Sequence, residues 1–493
     1  MPYRTGFQKI LILITGLLLT ISCSNDPVTL TAVDREPVIE PDYSDVTIPK
    51  NIAPLNFKIR EEGISFSLSA SSSNGYKLSV KSDDGIIRFP LNSWKKLLEG
   101  NTEGKITIEI ISENEGGKGN KFKPINLTVS GSSIDPYLCY RILFPGYEAY
   151  SELKIIQRCT ENFSESSIVE NQLLQTNCIN CHTFHMNNPE NYLIHVRGSV
   201  GGTYFSEKGK IVKHDLKAAE MKYGAVYPAW HPDGKLVAFS SNKIVQSFEG
   251  AQEHNIEVTD LASSLIIYDT EKNEVSAIEE ADTTGYLETY PEWSPDGKYL
   301  YYCRARQTND TSDFPRIKYN LVRKAFDRDS FSFGKAEIVF NADSIDKSVS
   351  FPRISPDGRY LVFTLHNNGN FSIWHKEADL YLMNINTLKS ERMSLNSDET
   401  ESYHGWSSNG EWLVFSSKRM DGLTARPFFA YISSSGAACK PFVLPQKDPE
   451  LYERFEKTYN RPELITGKIK TGPRNFEKAS KKAAIKADWK SNK

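Results

Sequence analysis

Tyr290-Pro291-Glu292-Trp293-Ser294-Pro295-Asp296-Gly297-Lys298-Tyr299-Leu300-Tyr301-Tyr302 reads as a short strand, a tight turn and a strongly apolar strand. Proline presets φ in the turn, aspartate caps it, and glycine takes the positive φ. The stretch recurs as Tyr227–Phe239 (YPAWHPDGKLVAF), Phe351–Phe363 (FPRISPDGRYLVF) and Tyr403–Phe415 (YHGWSSNGEWLVF). Further strands follow each copy, among them Leu265–Asp269 and Asp379–Met383. One such hairpin cannot bury its apolar faces, whereas a closed ring of them can, so the period predicts a β-propeller over residues 201–446. Four blades are evident. A fifth, without the turn signature, is expected from Gly201 to His214, and a sixth would need strands from the segment before it or from the C-terminal part. The expectation is therefore five or six blades.

Toward the N-terminus the pattern changes. Leu55–Ile59, Ile64–Leu68 and Ile106–Ile110 alternate apolar and polar, with Asp83-Asp84-Gly85 and Glu115-Gly116-Gly117 as turns, which predicts an antiparallel β-sandwich over 51–133. Residues 23–50 read as a linker. Residues 1–22 read as a lipoprotein signal peptide: Arg4 and Lys9 precede an apolar run from Ile10 to Ile21, and Thr20-Ile21-Ser22-Cys23 resembles a lipobox with Thr20 in place of the usual leucine. Cys23 would then carry the lipid, on the periplasmic or the surface side of a bacterial outer membrane. The other readings are an ordinary cleaved secretory signal or an uncleaved helix. Residues 447–493 form a C-terminal extension whose basic tail, from Lys468, is expected to be solvated and disordered. A net charge of −3 gives no reason to expect a nucleic-acid partner.

The chemistry lies between these regions, in 134–200. Cys178-Ile179-Asn180-Cys181-His182 has the spacing at which two thiols add across the vinyl groups of haem and the adjacent imidazole ligates the iron. At this chain's Cys and His content the pattern arises by chance about 0.002 times per chain. It predicts one covalent haem c, with thioethers at Cys178 and Cys181 and His182 as proximal ligand. A thioredoxin-type pair, a disulfide, or a zinc site completed by His185 and His195 are the competing readings. His185, Met186, His195, His231 and His404 are candidates for the sixth ligand. Of the other cysteines, Cys139 and Cys159 flank one compact segment and are possible disulfide partners; equally, they and Cys303 and Cys439 are buried small hydrophobes.

The repeats resemble those of TolB-type, WD40-like propellers. Cys178–Phe184 with Leu193–Gly198, Ile134–Tyr137 and Lys440–Gln446 resembles Bacteroidetes lipoproteins that join this haem motif to TolB-like repeats. That resemblance implies a distal ligand at His195, and Arg197 beside it could contact a haem propionate. The resulting picture is a mainly β protein: an N-terminal β-sandwich, a short haem-binding segment, then the propeller.

Three functions compete. The first is a lipid-anchored mono-haem cytochrome that transfers electrons to a redox partner protein, with the propeller as docking surface. The second is a ligand-binding or scaffold propeller whose haem is structural or sensory. The third is a haem peroxidase or glycan-active enzyme. Asp233, Asp296 and Asp357 are explained by turn chemistry. Glu257, Asp260, Glu288, Glu401 and His404 could face the propeller mouth, but no spacing pairs two carboxylates as a glycosidase requires, and no catalytic residue is assigned.

Overall fold

A computed structural model describes residues 29–146, 152–248, 256–278, 285–308 and 310–490. Cys23 and the signal segment lie outside them. Among the described residues no helix is long and apolar enough to cross a membrane. The protein is mainly β, and its strands form a six-bladed propeller preceded by a β-sandwich.

The sandwich packs a seven-stranded sheet, centred on Ser65–Ser72 and Lys105–Asn114, against a three-stranded one. The long strand Ser65–Ser72 alternates half-buried and buried residues throughout, the period-2 signature that marks it in the sequence. Of the linker expected at 23–50, residues 29–50 are part of this domain instead. Thr29–Ala32 and Thr47–Ile48 add parallel strands to the large sheet, and Ile39–Glu40 pairs with Phe57–Ile59. These strands are too short for periodicity to betray them; they are stabilised by burying Ile39, Tyr43, Val46 and Ile48. One apolar core runs on from the sandwich into blades 5, 6 and 1, and Asp135 accepts from the N–H and hydroxyl of Ser408 at the tip of blade 6.

Each blade is built on an antiparallel sheet, and in blades 2 to 6 the first strand in sequence is innermost. The inner strands are Cys178–Phe184 (blade 2), Ala225–Trp230 (blade 3), Tyr286–Trp293 (blade 4), Ser348–Ile354 (blade 5) and Glu401–Trp406 (blade 6). Blade 1 closes the ring from both ends of the chain. Tyr137–Leu143, Lys154–Cys159 and Glu165–Glu170 are its outer strands, and Thr458–Ile465 returns as its inner strand. The divisions drawn at 134–200, 201–446 and 447–493 are thereby replaced: residues 134–200 supply three strands of blade 1 and half of blade 2, and the C-terminal extension completes blade 1. As far as residue 490 the basic tail is folded onto the propeller. Its helix Pro473–Ser480 buries Phe476 and Ala479, and Ile485–Lys486 and Asp488–Trp489 add parallel edge strands to blades 2 and 3.

The turns have the predicted chemistry. Ser294 Oγ donates to Asp296 Oδ1 at 2.6 Å, Lys298 N–H donates to the same oxygen at 3.1 Å, and Gly297 takes φ +71°.

Candidate functional site

In four repeats the inner strand breaks register at an aromatic residue followed by Pro or His. Tyr227, Tyr290, Phe351 and Tyr403 all have φ between +45° and +53°, and their rings lie 4.6, 4.2 and 4.9 Å apart in succession around the axis. A bulky residue in this region is strained, and it persists because the ladder on both sides fixes it. Arg461, at φ +50° and followed by Pro462, holds the same place in blade 1. Asn460-Arg461-Pro462-Glu463-Leu464 is thus a fifth copy of the repeat, recognisable only by aligning it with Thr289-Tyr290-Pro291-Glu292-Trp293.

The last residues of the blade 2 inner strand align in the same way. The His185 N–H bonds the Asn191 carbonyl as the His231 N–H bonds that of Leu236, so counting back matches Phe184 with Trp230, Thr183 with Ala229, His182 with Pro228 and Cys181 with Tyr227, although the bulge falls one residue earlier, at Asn180–Cys181. The motif therefore lies on a propeller repeat. Cys181 is the sixth member of the ring that narrows the channel, between Arg461 and Tyr227, and His182 stands where the other blades have Pro228, Pro291, Pro352, His404 and Pro462.

Residues three apart on a regular strand face opposite ways. Here the bulge at Asn180–Cys181 places two residues opposite His195 alone, and Cys178 and Cys181 line one cavity of about 80 Å³. Arg141, Arg197 and Arg461 line it as well, together with the four ring aromatics. Arg141 Nη1 also donates to Asn180 Oδ1 at 3.0 Å and to the Ile179 carbonyl at 3.3 Å, which clamps the bulge from blade 1. The far wall is the blade 3 hairpin, through Ile244, Gln246 and Val258.

His182 does not join this cavity. It pairs with Ile194, on the face of blade 2 that packs against blade 1, and is 1% exposed. Burial, then the Arg461 and Arg141 charges, hold its pKa well below the ordinary histidine value, and its Nε2 has no hydrogen-bond partner. His404 occupies the corresponding slot between blades 5 and 6, with Nε2 2.9 Å from the Val362 carbonyl. His195 is on the opposite face of blade 2 from His182, with Nδ1 3.3 Å from Thr203 Oγ1, and burial lowers its pKa to about 3. As folded, the two histidines thus lie on opposite faces of one blade. Among the described residues no three His, Cys, Asp or Glu side chains gather as a metal site.

The remaining candidates have structural partners. His185 Nε2 is 3.0 Å from the Pro232 carbonyl, and His231 Nδ1 is 2.9 Å from Asp233 Oδ1. Met186 is exposed. Asp260, with its pKa raised by burial to about 6, accepts from Asn242, Tyr319 and Asn370. Glu257 meets His375, Glu288 lies 3.5 Å from Arg304, and Glu401 accepts from Ser397, Ser417 and Arg419. Cys139 and Cys159 are separate buried thiols. They lie on neighbouring strands, but Cys139 pairs with Gln157 and Cys159 with Tyr137, so the two are offset diagonally by two residues, where Cα atoms are about 7–8 Å apart and beyond a disulfide's span.

No family profile matches this sequence, and no curated protein does. Among solved structures the chain is similar to TolB from Acinetobacter baumannii, with 12% identity, 76% of this chain and 85% of that chain covered, and a TM-score of 0.41. It is also similar to a chain of a nidogen/laminin complex, with 8% identity, 67% and 100% covered, and a TM-score of 0.39. A third likeness is to a putative 6-phosphogluconolactonase from Bacteroides uniformis, with 11% identity, 82% and 98% covered, and a TM-score of 0.34.

Proposed function

We propose that this protein is an exported c-type haem protein in which the propeller holds one haem at the thiol-and-arginine end of its channel. The observation that carries this reading is the bulge that turns Cys178 and Cys181 to one cavity beside three guanidinium groups. Thioether bonds would form at the two thiols, and Arg141, Arg197 and Arg461 would hold the propionates, as Arg–carboxylate pairs do. As folded, neither the third motif residue nor the cavity's volume of about 80 Å³ fits a haem. His182 is buried between blades 1 and 2, and it becomes an axial ligand only by leaving that slot. When bound, haem supplies one-electron chemistry, and a redox partner protein would dock at the same mouth. Lipid attachment at Cys23 would tether the chain to the outer membrane.

The burial of His182 favours a second reading, a ligand-binding propeller in which His182 is structural as His404 is. A haem stain on a denaturing gel and a reduced-minus-oxidised spectrum decide between them, for protein matured with the cytochrome c system. Haem that survives denaturation in the wild type and is lost in Cys178→Ala/Cys181→Ala supports the first reading. A folded wild type without attached haem leaves the second.

A further inference from the structure

On the other side of the ring, the channel opens into a basin of about 210 Å³. Trp230, Trp293, Trp406 and Phe184, at one repeat position in four blades, line it. The charged residues lining it are Glu292, Glu463 and Arg353, two carboxylates and one guanidinium.

The two carboxylates hold equivalent positions in different blades. Glu292 of blade 4 accepts from the Ile354 N–H and pairs with Arg353 Nη1 of blade 5 at 2.8 Å. Glu463 of blade 1 likewise accepts from the Phe184 N–H of blade 2. At the place of Arg353, however, blade 2 has Thr183. Glu463 Oε1 is consequently buried with no hydrogen-bond partner; Arg353 of the basin, and then Arg461, which is 4.0 Å away and lines the opposite cavity, act on it only through space. A buried carboxylate oxygen without a donor costs free energy, and an aromatic-walled cavity is suited to a cation that supplies one.

We propose that this basin binds a small organic cation with an apolar body, its ammonium or guanidinium group against Glu463 and its body among the indoles. The site is separate from the thiol cavity and does not depend on haem.

The test titrates the full chain with 2-phenylethylammonium chloride and reads intrinsic tryptophan fluorescence, with 2-phenylethanol and phenylacetate as neutral and anionic counterparts. A saturable change is expected for the ammonium probe alone, weakened at least tenfold in Glu463→Gln. Thr183→Arg, which supplies the pairing seen at Glu292 and Arg353, should abolish binding with the melting temperature held or raised. The proposal is overturned by the absence of a saturable change, by equal affinity for phenylacetate, or by a folded Thr183→Arg variant that binds as the wild type does.

Discussion

His375 Nε2 lies 3.0 Å from Glu257 Oε2, and through this contact blade 5 holds the hairpin of blade 3 that walls the thiol cavity. The His375 ring is wholly buried, with Glu377 Oε1 3.2 Å from Nδ1 on its other side. Burial alone would lower its pKa; the two carboxylates outweigh that and lift it to about 9. The neighbouring His366, 4.9 Å away, stays neutral because burial and then the His375 charge oppose its protonation.

A raised histidine pKa stabilises the fold fully below the unfolded value, near 6.5, and the contribution is lost as pH rises through about 9. The difference corresponds to on the order of 3 kcal/mol. Between pH 7 and 10 the wild type should therefore lose melting temperature relative to His375→Gln, whose pH slope lacks this contribution and keeps the opposing one of Lys418. Thermal unfolding followed by circular dichroism at several pH values measures it; an unchanged slope in the variant would refute the assignment.

Lys418 has the opposite sign. Its Nζ lies 3.7 Å from the centre of the Trp374 ring, and burial, partly offset by Asp421 and Glu399, lowers its pKa to about 7. Charging it costs stability below about pH 7, and that cost disappears as pH rises toward its unfolded value near 10.5. Lys418→Met should raise the melting temperature at pH 6 by more than at pH 10. Equal shifts at the two pH values would count against this.

Ring closure depends on the C-terminal part in two separable ways. Truncation after Gly467 removes the helix and the two edge strands but keeps Thr458–Ile465, so the propeller should still unfold as one unit at a lower melting temperature. Truncation before Thr458 removes the blade 1 inner strand and should abolish cooperative unfolding of the propeller. Calorimetry distinguishes one transition from its loss.

Two turn glycines differ in what surrounds them. At Gly297 (φ +71°) an added Cβ would lie 2.5 Å from His231 Nε2, whereas at Gly358 (φ +74°) the nearest atom would be 4.0 Å away. Both Ala substitutions incur the left-handed cost of about 1–2 kcal/mol, and only Gly297→Ala adds an overpacking cost of about 1–3 kcal/mol. Chemical denaturation should rank Gly297→Ala well below Gly358→Ala.

Local chemistry in the chain was enough to specify the hairpin units. Ser-Pro-Asp-Gly sets a turn, and the apolar strands after it demand neighbours, so four blades were legible from Tyr227, Tyr290, Phe351 and Tyr403 onward. The Cys178–His182 spacing was equally legible as a motif. Pairing decided the rest. Thr458–Ile465 becomes the inner strand of blade 1 only by meeting Tyr137–Leu143, more than 300 residues earlier, and Arg461-Pro462 carries no turn signature to announce it. The directions of Cys178, Cys181 and His182 also follow from tertiary structure. A strand's side chains alternate, and one extra residue in the ladder at Asn180–Cys181 turns both thiols into a shared cavity while His182 stays paired with Ile194. A bulge is set by the partner strand and the blade beside it, so no spacing within the motif encodes it.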